Sequence, residues 1–139
     1  MTGIEYPTIT VGAHENLVVR MSLAAELLMI RRGLDPGILI RQVSPMSQGP
    51  PKEDKTVDLI PNPNWAQNMV TAFSCMVGEN FLDPQSTRID LNAVPTADYW
   101  ATQIDDLTDV SKAVIASVGK AMQERRKKLA AVPATEAAS

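Results

Sequence analysis

Histidine and cysteine are almost absent from this chain, with one of each in 139 residues. A lone cysteine closes no intrachain disulfide, which fits a reducing compartment. One histidine and one cysteine cannot assemble the usual zinc ligand sets, and a Ser–His–Asp arrangement has only His14 to draw on. Aromatic residues are sparse at 4%, so aliphatic side chains and the seven methionines must fill much of the core. Long hydrophobic runs are missing as well. The longest, Leu23 to Ile30, is broken by Glu26 and falls far short of the ~20 residues a membrane-spanning helix needs. Met1 to Thr8 lacks the basic and apolar regions of a signal peptide. Gly33 and Gly37 flank Asp35-Pro36 and match no phosphate-cradling or dinucleotide-binding pattern. A net charge of −3 offers no general attraction to nucleic acid or to an anionic membrane. The expectation is a single domain of residues 1–132 and a small-residue tail at 133–139, with no cofactor, no metal and no catalytic set.

What is present is a series of helix signals. Thr8-Ile9-Thr10-Val11 and Leu17-Val18-Val19-Arg20 are rich in β-branched residues and flank a turn-like Gly12 to Asn16, so an N-terminal β-hairpin is expected. Ser22 is a good N-cap for a helix over Leu23 to Arg32, and Gly33 stands where a C′ glycine would end it. Asp35-Pro36 is a cap followed by proline at the first helical position, opening a short helix to about Val43. Residues 44–61 carry five prolines and glycines among charged residues and read as a Pro-rich loop, with a possible short edge strand at Val57 to Ile60. Asn62-Pro63 repeats the cap-plus-proline signal. The helix after it places Trp65, Met69, Val70, Phe73, Met76, Val77 and Phe81 at steps of three and four, the pattern of a core helix.

The last helix is the longest. From Thr96 to Leu129, residues Trp100, Ile104, Leu107, Val110, Val114, Val118, Ala121, Met122 and Leu129 keep helical phase within a sector of roughly 120°. A helix of that length spans roughly 50 Å, against about 30 Å across a small domain, so part of the stripe is expected to meet another chain. Arg125 falls inside the apolar sector. A cation there suggests that core contact ends near Met122, with Trp100 to about Val118 as core and Ala121 to Leu129 as the face toward a partner, Arg125 snorkelling or pairing with a partner acid. Met122, Arg125, Arg126, Lys128 and Leu129 are therefore the candidate partner-binding residues. The helix is also charge-polarised, with Asp98, Asp105, Asp106 and Asp109 early and Lys112, Lys120 and Arg125 to Lys128 late. Antiparallel pairing of two such helices would bring unlike charges together.

Other residues carry chemistry only weakly. His14 and Cys75 could form a nucleophile pair in principle, but Cys75 lies mid-helix beside an apolar face. Asp105 and Asp109 share a helix face and could hold a hard cation, though such carboxylates are ordinarily a solvated surface. Arg125 to Lys128 fans around the helix and complements its negative end. Without interleaved aromatics to stack bases, nucleic-acid binding is disfavoured.

A small acidic helical chain with a short N-terminal hairpin resembles the tail assembly chaperones of long-tailed bacteriophages. The stretches that carry the resemblance are Leu17 to Glu26, the helix Asn64-Trp65 to Asn80-Phe81, and the ending Arg125-Arg126-Lys127-Lys128-Leu129. The resemblance implies an assembly factor in the host cytoplasm that coats a helical tape-measure-like protein and leaves before the tail is finished. It transfers no functional residue. The fold expected is mainly α: a β-hairpin, then about four helices, the last long and amphipathic. The function expected is non-enzymatic protein–protein interaction in assembly, with a tape-measure-like partner or further copies of the chain as a homo-oligomer, and no membrane. The alternatives are a permanent structural subunit of a virion or multimer and, third, a small regulatory nucleic-acid binder.

Overall fold

The computed structural model describes residues 5–83 and 85–130, and it is mainly α. The expected tail at 133–139 lies outside the described residues. Strands β1 (Thr8–Val11) and β2 (His14–Val18) pair antiparallel, with Val11 opposite His14. The turn is therefore Gly12-Ala13, tighter than the sequence suggested, and His14 belongs to the second strand. Asn80 extends this hairpin. Its side-chain amide donates to the Val18 carbonyl at 2.9 Å and its oxygen accepts from Val18 N–H at 3.1 Å.

Helix α1 (Leu23–Arg31) begins as its sequence predicts, with Ser22 Oγ accepting from the Ala25 amide at 3.1 Å. It ends at Gly33, whose φ of +88° is a backbone state that a side chain would strain. Asp35 caps a 3-10 turn at Pro36–Ile38 through Gly37 N–H (2.8 Å), which leads into the single-turn helix α2 (Leu39–Gln42).

The Pro-rich stretch 44–61 is a paired hairpin around a loop, and the short edge strand expected at Val57 to Ile60 forms at Leu59–Pro61. Strands β3 (Met46–Gln48) and β4 (Leu59–Pro61) pair antiparallel as a second hairpin, with Ser47 opposite Ile60. Pairing continues through Gly49 N–H to the Asp58 carbonyl (2.8 Å) and Lys52 N–H to the Thr56 carbonyl (2.9 Å). Lys55, at φ +67°, turns the tip. Prolines suit this hairpin because its strands have free edges, where no ladder hydrogen bond is lost. Every residue from Pro50 to Pro61 is exposed, so the hairpin forms an arm. Asn62 anchors its base by donating to the Gln42 and Ser44 carbonyls, both at 3.0 Å.

Helix α3 (Trp65–Met76) is the central element, buried from Thr71 through Met76. Phe81 belongs to a following 3-10 turn at Gly78–Phe81 rather than to the helix itself. Gly78 is a point of close approach: a Cβ there would lie 3.2 Å from both Leu28 Cδ1 and Val94 Cγ1.

The expected single helix from Thr96 to Leu129 is two helices, α4 (Ala97–Ala101) and α5 (Leu107–Ala130). The Thr96 side chain makes no capping hydrogen bond, although its carbonyl accepts from Trp100 N–H at 3.2 Å. The break has a local cause. Asp106 Oδ1 accepts from the Thr108 amide (2.7 Å) and from its hydroxyl (2.6 Å), which starts a new helix in the middle of the stripe. The turn lets Trp100 lie fully buried on α3, edge-on to Phe73 with ring centroids 5.2 Å apart, while α5 sets off along the core on its own line. Ser117 ties α5 to the chain leaving the first hairpin, donating to the Val19 carbonyl at 2.5 Å.

Candidate partner-docking site

Helix α1 is apolar on both sides. Ala25, Leu28 and Met29 are buried against the core. Leu23, Leu27 and Ile30 follow one another by four and three, so they form one stripe along the opposite face. They are 72%, 43% and 61% exposed. A helix that is hydrophobic all round is normally covered all round, and this one is covered on one side only.

A groove lies between the segment 36–41 and α5. Met21 forms part of its floor, Ile38 and Ile40 line one wall, and Val118 and Met122 line the other; its volume is about 350 Å³. Arg41 and Arg125 also line it. A second hollow, between Ile40 and the Met46 and Val57 side chains of the arm, adjoins the first through Ile40 and Arg41. Ile38, Ile40, Met46 and Val57 are all exposed. The apolar surface thus runs from α5 across α2 to the arm.

The candidate residues named from sequence divide as follows. The α5 stripe is buried as far as Ala121, so core contact ends at Met122 as expected, while Ala121 belongs to the core and not to the partner-facing end. Met122 and Leu129 are 47% and 74% exposed. Met122 and Arg125 line the groove; Arg126 and Lys128 are exposed on the helix beyond. Arg125 pairs with Glu26 of α1 in its own chain, where the sequence suggested an acid on a partner. That ion pair bridges the edge of the outward α1 stripe and the groove-lining side of α5.

The residues weighed for chemistry sit in unremarkable settings. His14 rests edge-on against Phe81, Tyr99 and Trp100, and its Nε2 shares a hydrogen bond with the Tyr99 hydroxyl at 2.5 Å. It is thus the polar member of an aromatic cluster, and its partner is Tyr99, not Cys75. Burial pushes the Cys75 thiol pKa up, so the thiol stays protonated, behaving as a small hydrophobe. Asp105, Asp106 and Asp109 line a shallow hollow beside β1, where Asp106 is occupied with capping. Among the described residues no three His, Cys, Asp or Glu side chains converge as a metal site, and no helix is long and apolar enough to cross a membrane. Arg32 is structural: its guanidinium donates to Ser74 Oγ (2.9 Å), Val94 O (2.8 Å) and Pro95 O (3.2 Å), which pins the 91–95 segment to α1 and α3.

Sequence reasoning missed the outward face of α1. The signal was available, since Leu23 to Ile30 is apolar at nearly every position and only one side of a helix can face one core. No protein-family model, curated protein or solved structure matches the chain.

Proposed function

We propose that this protein is a non-enzymatic assembly factor that docks a helical partner through its outward apolar faces. The most specific form of the proposal is a tail assembly chaperone that holds a tape-measure-like protein in the host cytoplasm. The observation that carries it is the two-sided α1, with Leu23, Leu27 and Ile30 turned to solvent opposite a fully packed inner face. Exposed apolar side chains aligned along a helix mark an interaction site more often than scattered ones do. Helix-in-groove recognition uses the same spacing, and the groove beside Met122 supplies the receiving hollow.

The arm favours a second reading. A hairpin exposed from Pro50 to Pro61, with Met46, Val57 and Leu59 turned to solvent, is a device for gripping neighbouring copies in a permanent homo-oligomer or virion. Two measurements separate the readings. Co-expression with the tape-measure-like protein of the same genome should yield a soluble complex, and mass spectrometry of finished particles should find the chain absent. Stoichiometric amounts in the particle would replace the chaperone with the structural subunit.

A further inference from the structure

We infer that the free edge of β1 accepts an extended segment of a protein partner as an added antiparallel strand. This site goes beyond the helix-docking faces above and uses neither of them. Val19 N–H donates to the Pro7 carbonyl at 3.0 Å, and Ile9 and Val11 stand opposite Leu17 and His14. Main-chain groups alternate in direction along an antiparallel ladder. Pro7, Ile9 and Val11 therefore turn theirs toward β2, and Thr8 and Thr10 turn theirs away. Among the described residues no protein group bonds to those outward N–H and C=O groups. The other edge of the same hairpin is closed. Asn80 occupies both main-chain groups of Val18, and Arg20 N–H donates to the Met76 carbonyl at 3.0 Å. The arm carries Pro45, Pro50, Pro51 and Pro61, which blunt its edges against an added strand. No proline interrupts β1 from Thr8 to Val11.

The space beside this edge fits a strand, with α5 as its second wall. One hollow of about 580 Å³ lies between Pro7 to Thr10 and the α5 residues Asp109, Lys112, Ala113 and Ala116. A smaller one of about 230 Å³ continues it past Val11 to Gly12. Together they follow all of β1, and four residues of strand need about 14 Å. A residue opposite Ile9 shares its inward face, above Ala113 and Ala116, whose short side chains leave room for a β-branched one. Charge gives the segment a direction. Asp105 and Asp106 line only the hollow at the Val11 end, Lys112 only the one at the Thr8 end, and Asp109 lines both. Among the described residues, Asp105, Asp109 and Lys112 are in no ion pair. The added strand therefore starts with a basic residue beside the aspartates and ends with an acidic one beside Lys112. A second copy of this chain is the poorer occupant. Its own β1 is flanked by Pro7 and Gly12, with no charge for either end. Two β1 strands about 4.8 Å apart would also press together two α5 helices, which need about 8–10 Å.

The test uses the full chain and two fluorescent peptides of one composition, Lys-Val-Thr-Val-Thr-Val-Glu and its reversed sequence, each on a Gly-Ser tail. In the antiparallel register the central valine of the first peptide faces Ile9, and its two threonines face Thr10 and Thr8. Fluorescence anisotropy should give this peptide roughly fivefold tighter binding than the reversed one, from two end pairs each worth a factor of about two to three. N-methylation of either peptide threonine removes a ladder donor and should weaken binding about tenfold. N-methylation of the central valine, whose N–H points away from β1, should change it less than about twofold. The Thr8 and Thr10 amides should exchange more slowly with peptide bound, while Ile9, already in the ladder, stays unchanged. Ala116→Trp fills the hollow from an exposed site and should cost at least about tenfold in binding with the melting temperature kept. Leu23→Glu/Ile30→Lys, which removes only the helix-docking face, should bind the peptide as wild type does. Equal or tighter binding of the reversed peptide, an equal cost of all three N-methylations, or a footprint on α1 or the α2–α5 groove would each overturn the inference. So would a chain that dimerises through Thr8 and Thr10 and takes no peptide, or no binding of either peptide at ~1 mM.

Discussion

Leu27 and Leu28 are neighbours of the same kind on opposite sides of α1, and they should behave as different residues. Leu28 is 1% exposed against α3. Truncating it to alanine removes most of a buried side chain and leaves a cavity in a closed part of the core, at a cost of about 3 kcal/mol. At roughly 4 °C per kcal/mol for a domain of this size, the melting temperature should fall by about 12 °C. The outward residues should tolerate full charge. Leu23→Glu sits in the first turn and Ile30→Lys near the last, so both charges suit the helix dipole. Each variant should stay within about 0.5 kcal/mol of the parent. Urea denaturation followed by far-UV circular dichroism measures all three. If Leu23→Glu or Ile30→Lys cost as much as Leu28→Ala, the outer stripe would be packed within its own chain and the docking argument would lose its basis.

Replacing Arg32 by Met removes the donors from the Val94 and Pro95 carbonyls and from Ser74, and should cost roughly 2–3 kcal/mol by urea denaturation. Cys75, its thiol pKa raised by burial, should react slowly with a thiol reagent in the native protein and quickly in denaturant. The unfolded thiol ionises first, so its contribution to stability is present below about pH 8.5 and is lost as pH rises above it, which a Cys75→Ala variant should not show. The Thr108 hydroxyl and amide hold the Asp106 carboxyl below its ordinary range. Its contribution is therefore present above about pH 4 and is lost as pH falls through its lowered pKa, with the first turn of α5 exchanging faster by hydrogen exchange.

Legibility in the sequence followed locality. Ser22, Asp35 and Gly33 act on neighbours two or three residues away, and the starts and stops they specify are where the structure puts them. The long stripe misled because periodicity carries no record of direction. Trp100 and Val110 keep phase on one helical template, yet they lie on two helices. The local string Asp106-Leu107-Thr108-Asp109, a helix start, was the signal that outranked it. The arm was half legible: its second strand was expected at Val57 to Ile60 and forms at Leu59–Pro61, whereas the strand it pairs with, Met46–Gln48, was masked by the neighbouring prolines, which argue against a central strand but not against one at an edge. The docking surface divides the same way. The cation Arg125 inside the apolar sector marked Met122 and Leu129 in the sequence itself, whereas Ile38 and Ile40 join Met122 only through the fold. The Glu26–Arg125 pair, spanning most of the chain, had no local trace.

The central claim is that the outward apolar faces recruit a helical protein during assembly. Size-exclusion chromatography with light scattering, on the chain co-expressed with the tape-measure-like protein of its genome, tests this most directly. The account predicts a soluble complex for the wild-type chain. It also predicts that Leu23→Glu/Ile30→Lys elutes alone, folded and at full stability. A complex that survives that double substitution, or a wild-type chain that never leaves its own peak, would contradict it.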